Sequence, residues 1–200
     1  MRRSSTRDTS DRLGMSLTPA AITKTDVDPK LQEIEVDLPA GSAATGVSHQ
    51  YPYGFAARVM GPKDGPNGEK QHAETWIMTA GGNRSHGVAL PAVDRRFPCP
   101  VKLEEGEVCH FGYGSDGQVT GYTHFKKDGS TVHRGKGGQA TTHGSDGSIS
   151  MQAGEVTFRL SSDGIDIQGG YIKHDGKRID ATHKHGGVQS GGSKTTEPEE

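Results

Sequence analysis

Near its C-terminal end the chain carries Thr182-His183-Lys184-His185-Gly186-Gly187, two histidines separated by one residue. On an extended strand alternate side chains share a face, so both imidazoles can reach one common point. Two imidazoles make a poor metal site by themselves. Three copies of the chain meeting on a threefold axis would supply six nitrogens, a count that suits an octahedral first-row ion better than tetrahedral zinc. Taken alone, the pair reads first as an exposed polar tail. What precedes it changes the weight.

Upstream, Ile165 and Ile167 alternate with polar neighbours, the period-2 pattern of a strand with one buried face. Turn dipeptides recur at Asp116-Gly117, Asp128-Gly129, Asp146-Gly147, Asp163-Gly164 and Asp175-Gly176, at intervals too irregular for a strict solenoid. The pattern predicts a ladder of short strands and tight turns from about residue 107 to 182. Leu, Ile, Val and Phe make up only 32 of the 200 residues, while the formal charge of -2 is far from that of a disordered chain. A chain with clear strand alternation and so little apolar surface can share its core with identical copies. Val132, Ile149, Val156, Phe158 and Leu160 are the candidates for that shared core. Winding around neighbours would also remove free sheet edges. The core deficit and the metal arithmetic therefore both point to an intertwined trimer.

The sequence resembles the phage baseplate assembly protein V, or central spike, family, above all its Mu-like members. The residues that carry the likeness are Ile165-Asp166-Ile167-Gln168-Gly169-Gly170-Tyr171, Gly176-Lys177-Arg178-Ile179-Asp180 and Thr182-His183-Lys184-His185-Gly186-Gly187-Val188-Gln189. Tyr53-Gly54-Phe55-Ala56-Ala57, Gly81-Gly82-Asn83-Arg84-Ser85-His86 with Asp94-Arg95-Arg96-Phe97, and Gly106-Glu107-Val108 add to it. It spans about residues 15 to 190, and the C-terminal block is its more specific part. The resemblance implies a homotrimer with an N-terminal OB-fold, an intertwined triple-stranded β-helix and a metal-capped apex. It further implies one iron per trimer held through six imidazoles by His183 and His185, and it allows calcium or chloride near the apex without assigning ligands. Ser190 departs from the proline expected in the family's glycine-rich tail, which bears on the path of the last residues and not on the metal pair. The implied partners are further copies of the chain, the baseplate hub and tail tube proteins, and a host outer membrane pierced in passing. The implied place is the virion tail baseplate, assembled in the host cytoplasm.

The N-terminal half is consistent with that reading without revealing it. Alternating stretches at Glu33–Leu38, Phe55–Met60, Thr75–Met78 and Gly87–Leu90 predict about five short strands, enough for a small barrel of the OB type. The all-β organisation expected is a flexible N-terminus over 1–15, an OB-fold domain over 16–105, a triple-stranded β-helix over 106–170, and an apex with metal site and tail over 171–200. Residues 1–15 lack the apolar run of a secretory signal, and no segment approaches the roughly 18 apolar residues of a membrane span.

Other features support less. The 81–86 loop is glycine-rich but lacks the Lys-Ser/Thr ending of a phosphate loop. Arg95-Arg96 could mark a nucleic-acid patch, yet the near-zero charge balance lacks the excess that phosphate neutralisation needs. A salt-bridged face between subunits fits the pair better, and no nucleic-acid partner is expected. His86, His110, His124, His133 and His143 sit among polar turn residues and read as surface or inter-chain hydrogen-bonding groups. His174 does not share a strand face with the apex pair. Cys99 and Cys109 match neither a redox pair nor zinc spacing. No nucleophile elbow occurs, so the chain is expected to be non-enzymatic, with no catalytic residues. The function expected is the structural spike of a contractile tail, a membrane-piercing needle with an iron-bound tip. The rival readings are a trimeric receptor-binding fibre, the spike of a bacterial contractile injection system, and a small metalloenzyme adding Asp180 to the histidine pair.

Overall fold

The structure is a computed structural model and describes residues 17–27, 32–79, 87–179, 187 and 191. The expectations for residues 1–15, the 81–86 loop, Asp180, His183, His185 and Ser190 lie outside the described residues. The described chain is almost entirely β, its one helical turn being Pro39–Gly41. It divides into two compact units, residues 1–99 with 115–117, and residues 100–114 with 118–200.

In the first unit, β1 (Leu17–Val27), β2 (Gln32–Leu38), β3 (Ser42–His49), β6 (Ala73–Thr79) and β7 (Gly87–Ala89) close into a five-stranded barrel ordered β1-β2-β3-β7-β6. The short β4 (Lys63–Asp64) and β5 (Lys70–Gln71) pair outside it. All barrel contacts are antiparallel except β3 with β7. This is the small five-stranded barrel that the alternation predicts. Alternation writes the core directly in β6, where Ala73, Thr75, Ile77 and Thr79 are buried while Glu74, Trp76 and Met78 are exposed. Ile22, Ile34 and Val36 fill the centre at 2 % exposure or less. Burying each contributes about 1.5–3 kcal/mol of transfer energy. β1 holds the closure. It pairs with β6 over Leu17–Ile22 and with β2 over Ala21–Val27, and the register shifts between Ile22 and Lys24. Such a bulge bends a strand enough to serve two neighbours.

Two strands, β1 and β3, escape the sequence pattern, and one predicted stretch is not a strand. Residues 55–60 are not in the sheet. Val59 does pack on the core, but the Met60 carbonyl accepts a hydrogen bond from Arg96 Nη2 at 3.1 Å. A side chain takes there what a ladder partner would take.

The second unit is the predicted ladder. Strands β8 (Val108–Tyr113), β9 (Val119–Phe125), β10 (Thr131–Gly135), β11 (Ala140–His143), β12 (Ile149–Ala153), β13 (Val156–Ser161) and β14 (Gly164–Gln168) form one antiparallel meander, each bonded to its chain neighbours. A small hairpin, β15 (Lys173–His174) and β16 (Lys177–Arg178), follows. All five predicted Asp-Gly turns place glycine at positive φ, for example Gly129 at 85° and Gly147 at 81°. The ladder bonds run within one chain, so any winding of copies around one another must engage the faces of this sheet.

Candidate functional site

His183 and His185, the predicted ligands, lie outside the described residues, and so does Asp180. The chain runs toward them through β15 and β16, which follow exposed Tyr171 and bring two cations to its ring, Lys173 at 5.0 Å and Arg178 at 4.5 Å. His174 is exposed, 3.8 Å from Asp175. Among the described residues no group of three or more histidine, cysteine or carboxylate side chains could hold a metal ion.

What the described residues do build is a two-faced sheet. Register fixes the faces, because side chains of directly paired residues point the same way. One row runs Val108, Phe125, Thr131, His143, Ile149, Leu160, Ile165. The next row on that face runs His110, Thr123, His133, Thr141, Met151, Phe158, Ile167, and beyond it lie Gly112, Gly121, Gly135, Ala153 and Val156. None of these residues is Asp, Glu, Lys or Arg. The opposite face carries Arg134, Arg159 and Asp166. His110, Thr123, His133, Thr141, Met151 and Phe158 contribute to an open groove of about 830 Å³, whose lining also includes Arg134 from the edge of the other face.

This face is not covered within the chain. Val108, Phe125, Met151, Leu160 and Ile165 remain 42–65 % exposed. Every buried hydrophobic residue among those described belongs to the barrel. Ile149, Val156, Phe158 and Leu160, candidates for a shared core, stand on this face. Val132 is a correction: it pairs with His124 and Thr142, which puts it on the opposite face, because an intervening turn reset the parity.

At the start of the ladder Glu107 is clamped. Its carboxylate accepts hydrogen bonds from the backbone N–H of Glu104 (3.0 Å) and of Lys127 (3.2 Å), and lies 3.0 Å from His124 Nε2. Its side chain is 4 % exposed. The two backbone donors, aided by His124, hold its pKa at about 2, below the ordinary 4.5. Asp128 behaves alike at about 2, because Oδ1 accepts from both the hydroxyl and the N–H of Ser130. A depressed folded pKa stabilises the fold fully above the ordinary value, and that contribution is lost as pH falls toward the folded one. We therefore expect Glu107→Gln to lower stability at neutral pH and to flatten its decline between about pH 4.5 and 2. Denaturant midpoints measured across that window check this, and a variant with an unchanged slope would refute the clamp.

His133 Nδ1 lies 2.9 Å from Thr123 Oγ1, and its ring centroid is 6.0 Å from that of His143. His110 meets the Phe125 ring edge-on at 5.7 Å. These histidines thus find polar or aromatic neighbours within the chain, as His124 does in Glu107.

In the barrel unit, Arg95 makes an exposed pair with Glu74 at 3.1 Å. Arg96 corrects the expectation of a face between subunits, because its guanidinium is consumed inside the chain. It pairs with Asp94 through Nε (2.8 Å) and Nη2 (2.6 Å), and donates to the carbonyls of Met60, Gly61 and Gln71. Both side chains of the pair are 12 % exposed. The Arg96 guanidinium is thereby fully engaged within the chain. His49 was not legible as special. It is 3 % exposed, neither ring nitrogen is hydrogen-bonded among the described residues, and its ring lies 4.6 Å from Tyr51. Burial lowers its pKa, and the nearby Leu90 backbone opposes that shift without making a hydrogen bond of normal geometry.

Comparison with known families adds two matches. Residues 20–96, which span the barrel strands from within β1 through β7, match the family described as Bacteriophage Mu Gp45, N-terminal. Residues 181–199, which contain His183 and His185, match the GpV Apex motif. Among curated proteins none matches the chain significantly.

Proposed function

Since the chain belongs to the Mu-like baseplate central spike family and is a phage baseplate spike protein, we propose that it works as a homotrimeric needle that pierces the host cell envelope. The observation that carries this reading is the uncharged face of β8–β14, half-exposed and without a core of its own. Hydrophobic side chains on an exposed sheet face need a cover, and copies of the same sheet supply one that repeats with the ladder. Three copies closing on one another would bury that face and turn the charged face to water. Axial load would then be shared by three chains whose cores are common, and parting the subunits would expose that face to water.

At the tip, His183 and His185 of three copies would hold one iron. Neutral imidazole is a good donor for such an ion, and six nitrogens fill an octahedral shell. Bound there, iron would supply coordinate bonds that tie the three chain ends where strands otherwise fray. The barrel would seat in the baseplate hub beneath the tail tube, and the assembled spike would act mechanically, with no catalytic step.

Native mass spectrometry of the full-length protein with elemental analysis tests this. A trimer with one iron is expected, and His183→Ala with His185→Ala should remove the iron and keep the trimer. A monomer, or one zinc per chain, would overturn it.

A further inference from the structure

The middle row of the uncharged face changes character along its length. From β8 to β14 it runs His110, Thr123, His133, Thr141, then Met151, Phe158 and Ile167. Four polar rungs are followed by three apolar ones. If three copies close over this face, the middle row lies nearest the shared axis, since its flanking rows meet the neighbouring copies. Each rung then becomes a ring of three identical side chains. The methionine, phenylalanine and isoleucine rings can pack dry. A ring of imidazoles between two rings of threonine hydroxyls cannot, because buried polar groups left without partners cost free energy.

We propose that His133 of three copies binds one divalent first-row transition ion inside the shaft, at a site separate from the apex pair. The inference rests on the trimeric reading above and adds a ligand to it. Thr123 already engages Nδ1 of His133 at 2.9 Å, which leaves Nε2 as the ligating atom and fixes the ring's orientation through the outer nitrogen. Three imidazoles around a threefold axis supply three of four tetrahedral positions, the donor set of a zinc site that keeps a water. The Thr141 ring, one rung along, offers hydroxyls to hold that water. His143, at 6.0 Å from His133, adds a second imidazole per chain within a ring's width. Calcium and magnesium do not suit the position, because no carboxylate stands on this face. Zinc, cobalt or nickel does.

The test uses the full-length chain with His183→Ala and His185→Ala, so that the apex pair contributes nothing. After chelator stripping, cobalt(II) is titrated and followed by visible absorption, with native mass spectrometry on the same samples. One cobalt per three chains is expected, with the intense bands of a tetrahedral ion. His133→Gln should abolish them while the trimer mass persists. Thr123→Val, which leaves the ligand in place, should weaken uptake about 10–100-fold. A trimer that takes up no cobalt, or takes it up equally with His133→Gln, overturns the site and leaves the trimer standing. A chain that is not trimeric overturns both.

Discussion

Phe158→Asp should convert the proposed trimer into monomers whose barrel remains folded. Phe158 stands between Met151 and Ile167 on a face with no charged residue, so a carboxylate there would find no cation when the face is covered. Desolvating an unpaired carboxylate costs several kcal/mol, and threefold symmetry would impose that cost in every copy. The loss would exceed what the remaining apolar contacts supply, while a lone chain simply solvates the new charge. Sedimentation velocity reads the mass, and near-ultraviolet circular dichroism of Trp76, the single tryptophan, reports whether the barrel keeps its packing. The control is one residue away. Arg159 points to the opposite face, where it meets Asp146 at 3.2 Å, so Arg159→Ala should leave the trimer intact. If Phe158→Asp remains trimeric, the uncharged face is not the one that copies bury.

The second large effect is expected at Arg96. Its guanidinium binds the Asp94 carboxylate twice and serves three backbone carbonyls, so Arg96→Met strands all of them at once. Removing one partner of a buried pair costs about 3–5 kcal/mol. Lysine should recover little of this, since one ammonium cannot reproduce the planar fork that reaches Asp94, Met60, Gly61 and Gln71 together. Urea unfolding followed through Trp76 fluorescence checks the loss, and an unshifted midpoint would show that residues 60–61 are held without Arg96. The variant that separates charge from packing is Arg96→Met with Asp94→Leu. Because it leaves no carboxylate stranded, it should recover part of the loss.

Local signals in the sequence were legible wherever one residue type settles a backbone choice. The five Asp-Gly turns and the alternation of β2 and β6 are of that kind, and they yielded the ladder and half the barrel. β1 was hidden because its bulge near Thr23 breaks strict alternation, and β3 because only Val47 and His49 of it are buried, after a run of small residues and Gly46 at φ 63°. Residues 55–60 alternate without being a strand, because the partner that satisfies the Met60 carbonyl lies 36 residues later in Arg96. Val132 failed for a related reason. Alternation is kept within a strand, but a turn of unknown length decides which face the next strand shows. The role of Arg96 is tertiary by nature, and no neighbour in sequence reveals three distant carbonyls. The spacing of His183 and His185 stands out in the sequence, but their reading as an apex pair comes from the family resemblance, and both lie outside the described residues. The matches to both ends of the chain agree with the family those residues resemble.

The meander of β8–β14 has a consequence for the order in which the shaft is made. Each strand bonds only to the one before and the one after it, so every rung closes a short loop and little chain entropy opposes it. Hairpins of this kind form within about 1–10 μs, far faster than chains find one another in solution. The ladder can therefore be complete, from its first hairpin onward, while the remainder of the chain is still being synthesised. On the proposed assembly the slow event is an encounter between finished sheets, and no chain has to thread through another to make the shaft.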